Sequence, residues 1–293
     1  MHKKYKISSI DFIIIPLVIL SITYLYYRIK TGMHYNWEWA AIPQYLFRFD
    51  PENGRWLPNL LMKGLFNTIR LSVWGIIFAS ILGVIMGLCR VSKSLFGRLL
   101  GGTYVELVRN TPPLVIIFIF YFFFSSQLIP FLGLDEFVTS AGPYTLKIIS
   151  ILFGAPSMFP AFLSAIITLA IFEGAYITEI IRAGIESIDK GQWEASHSLG
   201  LSRYQQFRYI ILPQAVQRIL LPLAGQFIST IKDSAIVSVI SIQELTFQGM
   251  ELMSATYLTF EVWITIAVMY LLLSVSLSLL IGRLDLYMRS RAA

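Results

Sequence analysis

The sequence predicts an all-α, polytopic membrane protein with six transmembrane helices, and three observations carry that prediction. Of its 293 residues, 56% are hydrophobic and only 14% charged, against roughly 25% charged in soluble domains. The apolar residues arrive in blocks long enough for a bilayer-crossing helix, about 20 residues. Lys and Arg gather at the ends of those blocks rather than in a stripe with interleaved aromatics. The net charge of +6 therefore reads as topology, with membrane lipid as the surroundings and no nucleic acid as partner.

The elements follow in order. Ile10–Tyr27 comes after the basic residues Lys3, Lys4 and Lys6 but precedes no small-x-small cleavage site. It ends in Tyr24, Tyr26, Tyr27 and Arg28, an aromatic and basic interface belt, so an uncleaved span is expected. Lys30 to Pro58 is polar and Trp-rich, with the turn-forming run Asp50-Pro51-Glu52-Asn53-Gly54, and reads as an extramembrane loop. Residues 1–58 thus form an N-terminal helix and loop, and 59–293 the main transmembrane domain. Its spans are expected at Leu60–Cys89, Tyr104–Leu128, Phe159–Ile181, Gln214–Ile240 and Phe260–Ile281. Tyr144–Phe153 is too short to cross and reads as a loop or an interfacial helix. Gly83 and Gly87 form a small-xxx-small pattern that lets helices approach closely. Pro112-Pro113 should break hydrogen bonding at one end of the third span, either as a pathway wall or as a static kink.

Six spans place both termini on one side of the membrane. Lys3, Lys4, Lys6, Arg90, Lys93, Arg98, Arg109, Arg182, Lys190, Arg203, Arg208, Arg218, Arg283, Arg289 and Arg291 fall together on that side. Fewer, namely Arg28, Lys30, Arg48, Arg55, Lys63 and Lys147, fall opposite. By the positive-inside bias the termini are cytoplasmic, and the longest cytoplasmic connection is 184–213.

Several chemistries drop out. Cys89 is the sole cysteine, and His2, His34 and His197 are scattered beside no paired carboxylates, so no metal site is expected. Ser196, His197 and Ser198 are adjacent on a helix and point in different directions, with no third member of a catalytic set. No G-x-x-x-x-G-K-[ST] run occurs, so the chain is expected not to hydrolyse ATP itself.

The cytoplasmic connection is more specific. Gly191 to Gly200 is small and weakly charged, and it closes on a glycine suited to a helix C-terminus. Ser202-Arg203-Tyr204-Gln205 is a capping box that starts a second helix. That helix is expected to carry Tyr204, Phe207 and Ile211 on one stripe and to stop near Leu212-Pro213. Two short helices at a tight corner make a rigid projection, with Ala195, Ser196 and Ser198 leaving room for a partner. An ordinary amphipathic loop is the alternative.

Glu194-Ala195-Ser196, three residues, Gly200, nine residues, Ile210, one residue and Leu212-Pro213 resembles the EAA loop of ABC-importer permeases. The one departure is Ser196, where the pattern has alanine. Gly64-Leu65-Phe66-Asn67-Thr68-Ile69, Tyr104 to Pro113, Ala175 to Ile185 and Lys232-Asp233-Ser234 are similar to the polar amino acid (His/Glu/Gln/Arg/opine) permease family, over roughly Leu60 to Leu284. The first span and the stretch Ser126 to Ser157 lie outside that pattern. The resemblance implies a five-helix importer core plus one N-terminal helix, in a bacterial inner membrane. It implies ABC ATPase subunits that hold ATP and Mg, a second permease copy or a sister permease, and an extracytoplasmic substrate-binding protein. Gly191, Glu194, Ala195, Ser196, Gly200, Leu212 and Pro213 would then form the ATPase-coupling contact, and this chain would bind no cofactor.

Ionisable groups inside spans are expensive, which singles out Arg70, Glu106, Glu173, Glu179, Lys232 and Asp233. Glu179 and Arg182 can pair on one helix face, Lys232 and Asp233 can pair with neighbouring helices, and Arg70 can snorkel. Glu173 stands mid-helix with no basic residue one turn away and beside Gly174, which opens space. Glu173, Asn67, Thr68, Lys232 and Asp233 are therefore the candidates for a substrate pathway, alongside structural pairing. An ion-coupled secondary transporter is the alternative function; it calls for paired broken helices in two symmetric halves, which are not evident.

Overall fold

The computed structural model describes residues 10–32 and 35–292. Lys3, Lys4 and Lys6, read above as topology signals, lie outside the described residues, as do the side chains of Lys30, Arg289 and Arg291. The chain divides into two compact units, 1–39 and 40–293.

The first unit holds helix α1 (Asp11–Gly32), 22 residues with Pro16 inside it. Its described apolar portion is Phe12–Tyr24. Beyond it Trp37 and Trp39 stack at 5.8 Å.

The second unit begins with a short turn, helix α2 (Ile42–Leu46) and a hairpin of β1 (Phe47–Asp50) and β2 (Arg55–Pro58). The Asp50-Gly54 run forms the turn as its composition predicts. Asp50 accepts from the Glu52 amide at 3.1 Å and from Asn53 at 2.8 Å, and Gly54 adopts φ +61°. The Asn53 amide holds the Asp50 carboxyl below the usual carboxylate range.

Then come α3 (Leu60–Val91), α4 (Leu95–Arg109), α5 (Pro113–Phe123) continued by a π-helical turn (Phe124–Leu128) into α6 (Ile129–Phe131), α7 (Leu134–Ser140), α8 (Pro143–Leu152) and α9 (Phe159–Glu186). The last third holds α10 (Lys190–Ser198), α11 (Arg203–Gln205), a second π-helical turn (Gln206–Ile211), α12 (Leu212–Asp233), a 3₁₀ segment (Ser234–Ile240), α13 (Leu245–Thr256) and α14 (Thr259–Ala292). Five stretches among the described residues are long and apolar enough to cross a membrane: Leu60–Val91, Pro113–Phe131, Pro156–Glu186, Arg203–Ile240 and Thr259–Arg283.

The core lies between α3 and α9. Gly64, Thr68, Ser72, Gly75, Ala79, Gly83 and Gly87 recur at helical spacing and are all buried. They give α3 a smooth stripe, and small residues are what lets two membrane helices close on each other. A Cβ on Gly83 would sit 2.5 Å from the Ile177 side chain of α9, and one on Gly87 2.7 Å from Ile181. At the other end of the stripe Gly64 meets the backbone of Leu245 on α13. Leu71, Ile117, Phe162, Ile166 and Leu169 fill the adjoining core.

Two span boundaries differ from expectation. The third span does not run from Tyr104 to Leu128: α4 ends at Arg109, and α5 starts afresh at Pro113. Helix α4 is a separate element whose buried face is Gly97, Gly101, Val105 and Val108, so Glu106 is exposed rather than inside a span. Pro112-Pro113 is the cause, because neither residue has an amide to continue the helix. Conversely, the helix after the 189–202 corner does not stop at Pro213 but runs on into the fifth span. The π-helical turn just before Pro213 widens the helix where the proline amide is missing, which lets the chain pass. The extra residue rotates everything that follows, so Ile211 is fully buried, Phe207 half-buried and Tyr204 73% exposed, not one stripe.

The stretch between the third and fourth spans folds as short helices. Arg70 anchors it instead of snorkelling: its guanidinium donates to the Ile151 carbonyl at 3.0 Å and to Asn67 Oδ1 at 2.9 Å, and Trp74 Nε1 donates to the Leu152 carbonyl.

Candidate coupling corner and intramembrane polar site

The corner at 189–202 is built by local capping. Asp189 accepts from the Gly191 amide and starts α10. At the far end the amides of Leu199, Gly200 and Leu201 fold back on the carbonyls of Ala195, His197 and Ser196. Gly200 carries φ +75°, the left-handed conformation that ends a helix at little cost only for glycine. Ser202 then accepts from the Gln205 amide while Gln205 Oε1 accepts from the Ser202 amide, the capping box expected from the sequence. Gln206 staples the corner from inside, donating to the Leu201 carbonyl at 2.9 Å and meeting His197 Nδ1 at 3.3 Å.

The corner stands on an apolar footing. Ile181, Ile185, Ile188, Ile211, Ala215 and Ile219 form one buried cluster, with Trp193, Phe207 and Ile210 against it. Arg218 of α12 also donates to the carbonyl of Ser187. The base of α10 is thus packed against the ends of α9 and α12. The outward face is Glu194, Ala195, Ser198, Leu199 and Gly200, with Gly191 also exposed. Ser196 instead turns inward, buried and bonded to the Trp193 carbonyl at 2.9 Å, which leaves Ala195 and Ser198 as the small residues on the outward face. Leu212 is half-buried and Pro213 exposed where α12 begins.

Inside the bundle, Glu173 of α9 is fully buried. Gln226 of α12 donates to its Oε2 at 2.6 Å, and Thr230 and Asp233 face it from the same helix. Its Oε1 has no hydrogen-bond partner among the described residues. The space beside Gly174 is not open: the Tyr104 hydroxyl lies 2.7 Å from where a Cβ would be, held there by its bond to the Ile171 carbonyl. Lys232 is exposed, next to the half-buried Asp233.

Asn67 and Thr68 are drawn into another network. Asn67 donates to the Gln243 carbonyl at 2.8 Å. The Thr68 hydroxyl, fully buried, lies 3.3 Å from Glu244 Oε2 and accepts from the Leu245 amide at 3.1 Å. Glu244 caps α13 through the Thr246 and Phe247 amides and accepts from Tyr270 of α14 at 2.8 Å. One carboxylate thus ties α3, α13 and α14 together. Glu179 pairs with Arg182, as its spacing predicts, and with Arg90 at 2.8 Å.

Four participants escaped the sequence reading. Gln226 and Thr230 share a helix stripe with Asp233 at spacings of four and three, which would have marked them. Arg90 and Glu244 gave no such signal, since their partners are distant in sequence.

Comparison with known proteins agrees with this architecture. Residues 75–290 match the family of binding-protein-dependent transport system inner membrane components. The glutamine transport system permease protein GlnP of Escherichia coli (strain K12) is 32% identical over 259 residues, 88% of this chain and 99% of that protein. The probable glutamine ABC transporter permease protein GlnM of Bacillus subtilis (strain 168) is 33% identical, over 78% of this chain and 92% of its own. A solved amino acid ABC transporter with histidines superposes with a TM-score of 0.61 at 34% identity, over 77% of this chain and 92% of its own. The MetNI methionine ABC transporter in an inward-facing form shares the fold, with a TM-score of 0.55 at 16% identity. These matches do not favour an ion-coupled secondary transporter. A membrane-embedded helical core with a capped, outward-facing corner and no ATPase of its own fits what they share: the chain belongs to the binding-protein-dependent transport system inner membrane components, the permease subunits of ABC importers.

Proposed function

We propose that this permease forms the membrane pathway for a polar amino acid of the glutamine type, delivered by an extracytoplasmic binding protein and driven by separate ATPase subunits that hold ATP and Mg. The observation that carries the coupling is the corner itself. A pair of capped helices with an exposed Glu194-Ala195 face stands on a buried apolar footing, so a displacement made outside reaches α9 and α12 without being absorbed locally. In this reading the 184–213 side faces the cytoplasm together with both termini, and a second permease subunit completes the pathway. Residues 1–58 are an addition to the core that 59–293 supplies.

Gly191, Glu194, Ala195, Gly200, Leu212 and Pro213 form the coupling contact or set its shape, and Ser196 holds the corner from within. Glu173 lines the pathway with Asp233, presenting a desolvated carboxylate to the substrate ammonium, and Lys232 lies beside them. Asn67 and Thr68 act one step back, fixing the end of α3 against α13.

The test is reconstitution of the permease with its ATPase and loaded binding protein in liposomes. Glu194→Ala, through loss of roughly one charge-assisted contact, and Gly200→Val, through opening of the corner, are each expected to lower binding-protein-stimulated ATPase activity and uptake by about tenfold, with the complex still assembled. Stimulation and uptake at wild-type levels in both variants would refute the coupling assignment.

A further inference from the structure

We propose that the arginine-lined cavity at the 184–213 end of the bundle binds the α-carboxylate of the amino acid on its way out of the pathway, with Arg109 as the principal anchor. The inference rests on the transport reading above and adds a site to it.

The cavity has a volume of about 580 Å³ and is lined by Arg109, Tyr176, Glu179, Arg182, Arg218 and Gln226, among others. That is within the range of small-molecule sites, roughly 300–1,000 Å³. Its charges do not balance. The Glu179 carboxylate is taken up by Arg90 and Arg182, each at 2.8 Å, and Arg182 also pairs with Glu186. Arg218 gives its hydrogen bonds to the carbonyl and hydroxyl of Ser187, both neutral. Arg109 stacks over the Tyr176 ring at 5.3 Å and has no ion-pair partner among the described residues. Glu106, one turn earlier on α4, bonds Asn110 instead, at 2.7 Å. Four guanidinium groups thus meet two carboxylates, an excess of two positive charges.

A guanidinium fork matches a planar two-oxygen anion better than any neutral group. The Tyr176 ring holds the Arg109 guanidinium at the cavity wall, and no carboxylate among the described residues takes up its donors. The opposite wall adds the second half of the recognition, because Gln226 lines this cavity and also donates to Glu173. A ligand here meets excess positive charge on one side and, behind Gln226, a buried carboxylate on the other. A zwitterionic amino acid carries both complements. An inorganic or lipid phosphate carries only one.

The experiment is equilibrium binding of radiolabelled L-glutamine and L-histidine to the purified permease–ATPase complex in nanodiscs of neutral phosphatidylcholine. Competitors are the corresponding amino acid amides, which lack the carboxylate, and inorganic phosphate. Each amide is expected to compete about tenfold or more weakly than its acid, as loss of one charge-assisted contact requires. Arg109→Ala should weaken the acid by a similar factor while leaving the amide unchanged. Arg109→Lys should recover part of the difference, and Arg218→Ala should cost less. Equal competition by acid and amide, or a discrimination that survives Arg109→Ala, would overturn the proposal. So would phosphate competing as well as the amino acid, or no binding of either amino acid. ATP-driven uptake by the same complex keeps the two readings apart: uptake without carboxylate discrimination sinks this site alone, and absence of uptake for every polar amino acid sinks the transport reading.

Discussion

Gly200 turns the corner at φ +75° with no atom near the place of a missing Cβ, so its role is conformational and not steric. An L side chain in this region costs about 1 kcal/mol. Gly200→Ala is therefore expected to leave the corner folded but looser, and Gly200→Val to open it. Hydrogen exchange of the Leu199, Gly200 and Leu201 amides should rise in that order, in parallel with the loss of stimulated ATPase activity. Exchange unchanged in both variants would show that another feature holds the corner. Glu173 poses a charge question instead. Glu173→Gln keeps the shape and lets the Gln226 bond persist with its amide reversed, so the bundle should assemble normally. Uptake at saturating loaded binding protein should nonetheless fall about tenfold, since a desolvated carboxylate has no neutral substitute toward an ammonium. Uptake at the wild-type rate would make Glu173 a packing residue.

At the scale of elements, α3 and α9 depend on the small stripe. Gly83→Val places methyl groups where Ile177 already sits, 2.5 Å from the first added atom, and overpacking of this kind costs about 1–3 kcal/mol. A thermal midpoint in detergent lowered by several degrees is the expected result; Gly102→Val, where nothing lies within 4 Å, is the control. The six apolar blocks, the capping box and the corner were legible because each is encoded within a few neighbouring residues. The break at Pro112-Pro113 was visible, but the third span was started too early, at Tyr104, since the apolar residues of α4 merge with those of α5 when read as composition alone. Passage through Pro213 was hidden for a different reason: a π-helical turn is a solution found by packing, and Gln206–Ile211 carries no mark of it. The Thr68–Glu244 bond joins residues 176 apart, a separation at which a single sequence holds no pairing information.

For the whole molecule, the division into 1–39 and 40–293 separates the N-terminal helix from everything the permease reading uses. The family match begins at residue 75, and the corner, Glu173, Gln226 and the arginine cavity all fall in the second unit. Helix α2 and the hairpin also belong there, and α2 is tied to the start of α3 by the Asn59 amide, which donates to the Leu46 carbonyl at 2.9 Å, and by the Asn59 side chain on the Gln44 carbonyl. Deleting α1 outright would confuse two effects, because an apolar N-terminal helix with a basic flank can also direct insertion. A protease site placed between Trp39 and Ala40, cut after the complex is assembled, avoids this. If coupling is confined to the second unit, the cleaved complex should keep stimulated ATPase activity and uptake within about twofold of the uncut one, a change below 0.5 kcal/mol. A larger loss on cutting, with α1 still retained in the membrane, would mean that the connection through Trp39 carries force or holds the hairpin in register, and the working core would then have to include residues 1–39.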